Sequence, residues 1–204
     1  MKINESGRSM IEMLGVLAII GVLSVGGIAG YSKAMSKYRV NKTIDQISHI
    51  AANTRILFGS QKNYDDLAGD KKNDIIDKAK LFPQEMGSGG SYKNPFSGDA
   101  TITAAKRFKN ETDKKAFVIK YTQIPQEACI DLATIDWGTG SGGGLVALGV
   151  NTDVDTMVTD GTAAGGDNCT GDKVICGGSA VMEVDKAVAA CNETDGNFLS
   201  LKFY

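Results

Sequence analysis

Between Met13 and Gly30 the chain reads MLGVLAIIGVLSVGGIAG, a run without a charge in which Ser24 is the one polar side chain. As a helix rising about 1.5 Å per residue, such a run reaches roughly 27 Å, close to the hydrocarbon thickness of a bilayer. Two readings follow from length and apolarity alone. One is a single membrane anchor. The other is a secretory signal, which usually has a shorter apolar core and a small-residue cleavage site. Here the run passes into YSKAMSKYRVNKTIDQISHIAANTRILF, which has the pattern of a continuing helix. Ile44, Ile47, Ala51, Thr54 and Phe58 recur at spacings of three and four, and Ile50 and Leu57 widen that stripe. Neither Pro nor Gly interrupts it before Gly59, so the sequence predicts an amphipathic helix with one buried face, continuous with the apolar segment.

The remainder of the chain mixes short elements. Asp74 to Lys80 reads as a helix stopped before Pro83, and residues 87–95 as a loop. Strand signals follow at Thr101-Ile102-Thr103 and Ala116–Ile124, joined by a charged connection, Lys106–Lys115, that reads as a solvated hairpin tip. Gln126–Thr134 reads as a helix, Leu145–Val150 as a strand, Met182–Cys191 as a helix and Phe198–Tyr204 as a closing strand. A long helix, short helices and late strands predict an α+β layer in which a helix covers an antiparallel sheet.

The residues offer little chemistry for turnover. His49, the only histidine, sits on the predicted long helix, so no Ser-His-Asp or Cys-His arrangement can be assembled around it, and no enzyme is expected. The glycine run 138–144 lacks the Gly-Lys-Ser/Thr ending of a phosphate loop and precedes a strand. Asp153, Asp155 and Asp160 lack the spacing and late glutamate of a calcium loop. No metal or other cofactor is therefore expected. A net charge of −2 gives no basic excess for nucleic acid. Cys129, Cys169, Cys176 and Cys191 form no CxxC pair; in an exported domain four cysteines point to two disulfides, with three pairings open.

One residue fits poorly with a plain anchor. Glu12 stands among Met10, Ile11, Met13 and Leu14, where a lone carboxylate in lipid costs about 2.5–3.5 kcal/mol. Gly7-Arg8-Ser9-Met10-Ile11-Glu12-Met13-Leu14, followed by Val16-Leu17-Ala18-Ile19-Ile20-Gly21, resembles the prepilin signal of type IV pilins and of type II secretion pseudopilins. The resemblance implies a leader of residues 1–7, cleavage between Gly7 and Arg8 by a prepilin peptidase, methylation of the new amine, and a mature chain with Glu12 fifth. The sequence differs from the usual pattern in having Arg8 after the glycine and no proline in the helix. Leu81-Phe82-Pro83-Gln84-Glu85-Met86, Asn94-Pro95-Phe96-Ser97-Gly98 and Ile124-Pro125-Gln126-Glu127-Ala128-Cys129 also look like type IVb pilins.

The resemblance implies a type IV pilin fold: a long helix over residues 8–59, with 13–30 as the membrane and assembly segment, and a periplasmic, later extracellular, head over 60–204. It implies a Cys129–Cys191 disulfide, the C-terminal loop of pilins, and the same reading pairs Cys169 with Cys176. The implied partners are copies of the chain in a helical polymer, minor pilins, the peptidase, the assembly platform with its ATPase, and the inner membrane before assembly. Counting Lys2 and Arg8 against Lys33, Lys37, Arg39 and Lys42 would place the head in the cytoplasm by the positive-inside rule. The resemblance and the cysteines both require the opposite orientation, which is the one expected here. Two alternatives remain beside the pilus subunit: a pseudopilin of type II secretion, and a monomeric membrane-anchored periplasmic binding domain.

Overall fold

A computed structural model describes residues 6–61, 63–108, 111–138, 144–155, 173–176, 181–193 and 196–204. The first element, helix α1, runs Ser6–Phe58. The chain divides into two units, Met1–Tyr38 and Arg39–Tyr204, and each is described by itself.

In the first unit every described residue from Met10 to Ala34 is exposed. The helix there satisfies its own polar groups: Ser24 Oγ donates to the Ile20 carbonyl at 2.7 Å, so the one hydroxyl of the apolar run needs no outside partner.

In the second unit the remainder of α1 buries one face. Val40, Thr43, Gln46, Ile47, Ile50, Ala51, Thr54 and Phe58 are buried, a stripe stepping by three and four residues. The expected stripe differs at its edges: Ile44 is only partly buried and Leu57 is exposed, because Phe58 takes the inward position at the last turn. The stripe packs in one apolar cluster with Phe117, Ile119, Tyr121, Leu199, Leu201 and Phe203. Each such large side chain contributes about 1.5–3 kcal/mol on burial.

The short elements are α2 (Lys72–Lys78), the two-residue strands β1 (Gly87–Ser88) and β2 (Ser91–Tyr92), β3 (Ala100–Ala105), β4 (Ala116–Ile124), α3 (Gln126–Ala133), β5 (Leu145–Val150), β6 (Val174–Cys176), α4 (Val184–Ala190) and β7 (Asn197–Phe203). The hairpin β1–β2 falls where a plain loop was expected, and β6 had no forecast at all. Strands β3 to β7 form one antiparallel sheet in the order β3-β4-β7-β5-β6. The last strand in sequence is thus central in space, hydrogen-bonded to both β4 and β5. Its alternate side chains face opposite ways, Leu199, Leu201 and Phe203 towards the cluster that holds α1 and Ser200 and Lys202 away from it. Ala105, Val118, Ala147 and Val154 make a smaller apolar cluster of their own.

One sequence block singled out earlier has a clear structural task. Asn94 Oδ1 accepts from the N–H groups of Phe96 and Gly98, and Asn94 Nδ2 donates to the Thr122 carbonyl at 2.7 Å. That closes a turn against β4 where its register shifts, between Tyr121 and Ile124. Gly98 is obligatory there: a Cβ would sit 1.9 Å from the Thr122 carbonyl oxygen.

Candidate assembly segment and disulfide-tied head

The candidate site is a surface rather than a pocket. Met10, Ile11, Met13, Leu14, Leu17, Ile19, Val22, Leu23, Val25 and Ile28 are each at least 60% exposed, a contiguous apolar surface of a kind that monomeric soluble proteins rarely show. The helix that carries it is long and apolar enough to cross a membrane, with a mean hydropathy of 2.2 in its best window, none of which is buried. Apart from the helix's own nearby backbone, Gly15, Gly21, Gly26, Gly27 and Gly30 have no atom of the described residues within 4 Å of where a Cβ would stand. No contact among the described residues therefore requires them, although each glycine weakens a helix by about 1 kcal/mol relative to alanine.

Glu12 is exposed on this segment. Gly7 and Arg8 fall in the first turn of α1. The sequence-predicted site residues at this end are thus on one helix end, and nothing in the fold of Arg39–Tyr204 is needed to bring them together.

The head supplies the remaining predicted positions. Cys129 on α3 and Cys191 at the end of α4 are joined by a disulfide, with Cα atoms 5.9 Å apart. Pro125 starts α3 with its fixed φ, and the Cys191 N–H closes α4 on the Ala187 carbonyl. Both sulfurs are buried in the main cluster. Cys176 lies on β6, whereas Cys169 lies outside the described residues, as do 139–143 of the glycine run and Asp160. Asp153 is engaged by Lys120, 2.7 Å away. His49 is exposed and meets Asn53 one turn on.

Beside the disulfide is a network that sequence reasoning missed. Asn197 Nδ2 donates to the Ile124 carbonyl, while Asn197 Oδ1 accepts from Asn151 Nδ2 and from the Glu193 N–H. Asn151 Nδ2 also donates to the Ala190 carbonyl, and Asn151 Oδ1 accepts from the Phe198 N–H. Two amides thereby bind the end of β5, the exit of α4 and the start of β7 around the cross-link. The available signal was Asn151 just past an apolar strand, at a φ of 53° that asparagine tolerates better than most residues.

A second hairpin is tied in the same way. Tyr92 stacks on Phe82 at 4.5 Å, and its hydroxyl donates to Asp77 Oδ1 at 2.8 Å. Burial first, and that carboxylate second, push the Tyr92 phenol up to about 12. On α1, Gln46 Nε2 donates to Glu85 Oε1 at 3.0 Å and Lys42 Nζ lies 3.1 Å from the same oxygen. Glu85 is held below the usual carboxylate range by the Gln46 bond first and the Lys42 bond second. Among the described residues no group of His, Cys, Asp or Glu is arranged to hold a metal ion.

The model of a family described as PilS N terminal matches residues 37–182. The major structural subunit of bundle-forming pilus from Escherichia coli O111:H- is 24% identical over 157 residues, which is 76% of this chain and 75% of that protein. The toxin coregulated pilin of Vibrio cholerae serotype O1 is 26% identical over 139 residues, covering 65% of this chain and 58% of its own. Among solved structures, TcpA, a type IV pilin from Vibrio cholerae El Tor biotype, superposes with a TM-score of 0.55 at 21% identity, over 82% of this chain and 99% of that one. The type IV b pilin from Salmonella typhi gives 0.50 at 16% identity, over 80% and 97%. The helix-on-sheet layer with its Cys129–Cys191 bridge is the type IV pilin fold, and the chain, matched over well more than half its length, belongs to the PilS N-terminal family.

Proposed function

We propose that the chain is a structural subunit of a type IV pilus-like filament and turns over no substrate. The observation that carries this reading is the pairing of a cross-linked, well-packed head with a helix whose apolar side chains are left uncovered. Such a surface needs either lipid or other copies of itself. The printed names of two relatives, a major structural subunit of a pilus and a pilin, support the same reading.

In this proposal residues 1–7 are a leader, 8–59 the helix and 60–204 the head. The precursor sits in the inner membrane of a bacterium with the head in the periplasm. Prepilin peptidase cuts between Gly7 and Arg8, and the platform with its ATPase draws the subunit into an extracellular fibre that also takes minor pilins. Cys169 pairs with Cys176. Glu12 supplies the register. A carboxylate moved from lipid into a dry helical bundle is tolerated when a cation offsets its desolvation. The new α-amine at Arg8 of a neighbouring subunit is that cation, and the Arg8 guanidinium offers a second. The disulfide-tied end of the head favours this over the pseudopilin alternative, since the major pseudopilin type generally lacks such a loop.

Mass spectrometry of sheared fibres tests the proposal: the expected N-terminus is Arg8, and an intact Met1 in assembled material would overturn it. Glu12→Ala should leave insertion, cleavage and head folding intact while removing fibre from the sheared fraction. Glu12→Gln, which keeps shape without charge, should restore part of it. Normal fibre yield from Glu12→Ala would leave the register role without support.

A further inference from the structure

Lys33, Lys37, Arg39 and Lys42 stand on the side of the apolar run where the positive-inside rule would not put them, and the filament reading leaves that cluster unexplained. Lys42 is accounted for by the head, where it lies 3.1 Å from Glu85. The first acidic residue after Glu12 is Asp45, so the helix between them carries positive charge only. Lys33 and Lys37 are exposed within Met1–Tyr38, together with Tyr31 and Tyr38, whose rings are 68% and 56% exposed. At 3.6 residues per turn, Tyr31 and Tyr38 come within about 20° of one another around the helix. Lys33 and Lys37, one turn apart, share roughly the opposite side.

This group begins directly after Gly30, the last residue of the uncharged run. An aromatic ring with one polar tip is suited to the boundary where hydrocarbon meets headgroups. Helical Cα–Cβ bonds tilt towards the N-terminus, so all four side chains lean back towards the apolar run. Along the axis Lys33 and Lys37 stand about 5 and 10 Å beyond Gly30, and the headgroup layer is about 5–8 Å thick on each side of a bilayer. We propose that Tyr31, Lys33, Lys37 and Tyr38 form a collar that binds anionic phospholipid headgroups in the leaflet on the C-terminal side of the segment. The two ammonium groups take the phosphate diesters, and the two rings sit at the edge of the hydrocarbon with their hydroxyls outward. Continuity with the membrane-length helix and the positive charge of this acid-free stretch point to an anionic lipid rather than to a protein partner. The collar also fixes depth. With Gly30 held at one boundary, Gly7 lies about 35 Å away along α1, at the opposite surface, where a leader would have to be cut. This rests on the membrane-anchored precursor of the filament reading and names the lipid class that holds it.

The test places the full-length precursor in nanodiscs of equal parts phosphatidylglycerol and phosphatidylcholine, and native mass spectrometry counts the lipids that stay bound. Each lysine near an anionic surface is worth about fivefold, so the wild type is expected to retain phosphatidylglycerol over phosphatidylcholine by roughly tenfold or more at low salt. Lys33→Gln with Lys37→Gln should bring the ratio close to unity, and Lys33→Arg with Lys37→Arg should keep it. Tyr31→Ala with Tyr38→Ala should lower it, because the helix is then free to slide and carry the lysines away from the phosphates. All four positions are exposed, so the melting of the head should not change in any variant. Equal retention of the two lipids by the wild type, or an unchanged ratio in the double glutamine variant, would overturn the collar. If that variant kept the ratio and lost fibre, the lysines would belong to contacts between subunits instead. An unchanged ratio in the double alanine variant would remove the tyrosines from the site. The assay needs no fibre: a wild-type chain that selects phosphatidylglycerol yet forms no fibre would overturn the filament reading and leave the collar standing, whereas a chain that does not enter the nanodisc would overturn both.

Discussion

The apolar segment and the head solve the same problem in opposite ways. In Arg39–Tyr204 most of the described aliphatic and aromatic side chains are buried in the head's own core, and several polar side chains there are tied to neighbouring groups: Asn197 to Asn151, Asn94 to Thr122, Tyr92 to Asp77. From Met10 to Ala34 nothing is hidden, and the backbone and Ser24 are satisfied only by the helix itself. The head's described side chains thus pack on one another, whereas those of the segment from Met10 to Ala34 are all exposed. A substitution in the first region should be read out by melting, and one in the second by assembly.

The largest expected effect belongs to the bridge. Cys129→Ser with Cys191→Ser removes a cross-link over a separation of 62 residues, which in the loop-entropy account is worth about 4 kcal/mol. Chemical denaturation of the double-serine variant should show that loss in the head. A variant that melted like the wild type would mean that the asparagine network, not the cross-link, holds α3 and α4 together.

How much of this was legible beforehand follows from the range of the forces involved. The membrane-length segment and the amphipathic half of α1 could be read because apolarity and periodicity are local properties of the chain. β4, β5 and β7 also came out near their true limits, since apolar strands bounded by turns announce themselves. β6 was invisible: Val174-Ile175-Cys176 is too short to alternate, and it is a strand only because β5 offers it an edge. Leu57 was misplaced because the helix turns Phe58 inward at its last turn, a choice made by Tyr64 and the sheet beyond it. The Asn151–Asn197 pair joins positions 46 residues apart, which no window along the sequence can see.

Next in size is a pair of isoleucines. Ile50 is fully buried, and Ile50→Ala should cost the head about 2–5 kcal/mol through lost transfer energy and a residual cavity. Ile19 is 62% exposed, and Ile19→Ala should leave the head's unfolding midpoint unchanged. Equal destabilisation by both would abolish the distinction between the two regions.

Lys202 sharpens the comparison by pH. It is fully buried on β7, where burial pushes its ammonium down to about 8 while Asp155 and Glu111 oppose the shift. Between about pH 8 and 10.5 the unfolded chain holds this proton and the folded one does not, so stability rises with pH across that window. Below pH 8 both states are charged and the folded state carries the full desolvation cost, on the order of 3 kcal/mol. Lys202→Met should flatten the rise, which unfolding curves at pH 7.5 and 10 would reveal. An unchanged rise in the variant would assign it to another group.

The smallest contrast uses one extra methyl group in each region. At Gly98 the added Cβ collides with the Thr122 backbone oxygen, and backbone cannot step aside as the tip of a side chain can. Gly98→Ala should therefore open the Asn94 turn and cost about 1–3 kcal/mol, a price typical of overpacking. At Gly21 the same methyl group meets nothing within 4 Å, and alanine is the better helix former by about 1 kcal/mol. Gly21→Ala should leave the head's melting within about 0.5 kcal/mol of the wild type, as for surface positions generally. Circular dichroism in detergent should show helix content equal to or above that of the parent chain. A loss of helix in Gly21→Ala would mean that the segment meets atoms of its own chain there, contrary to the open space around its glycines.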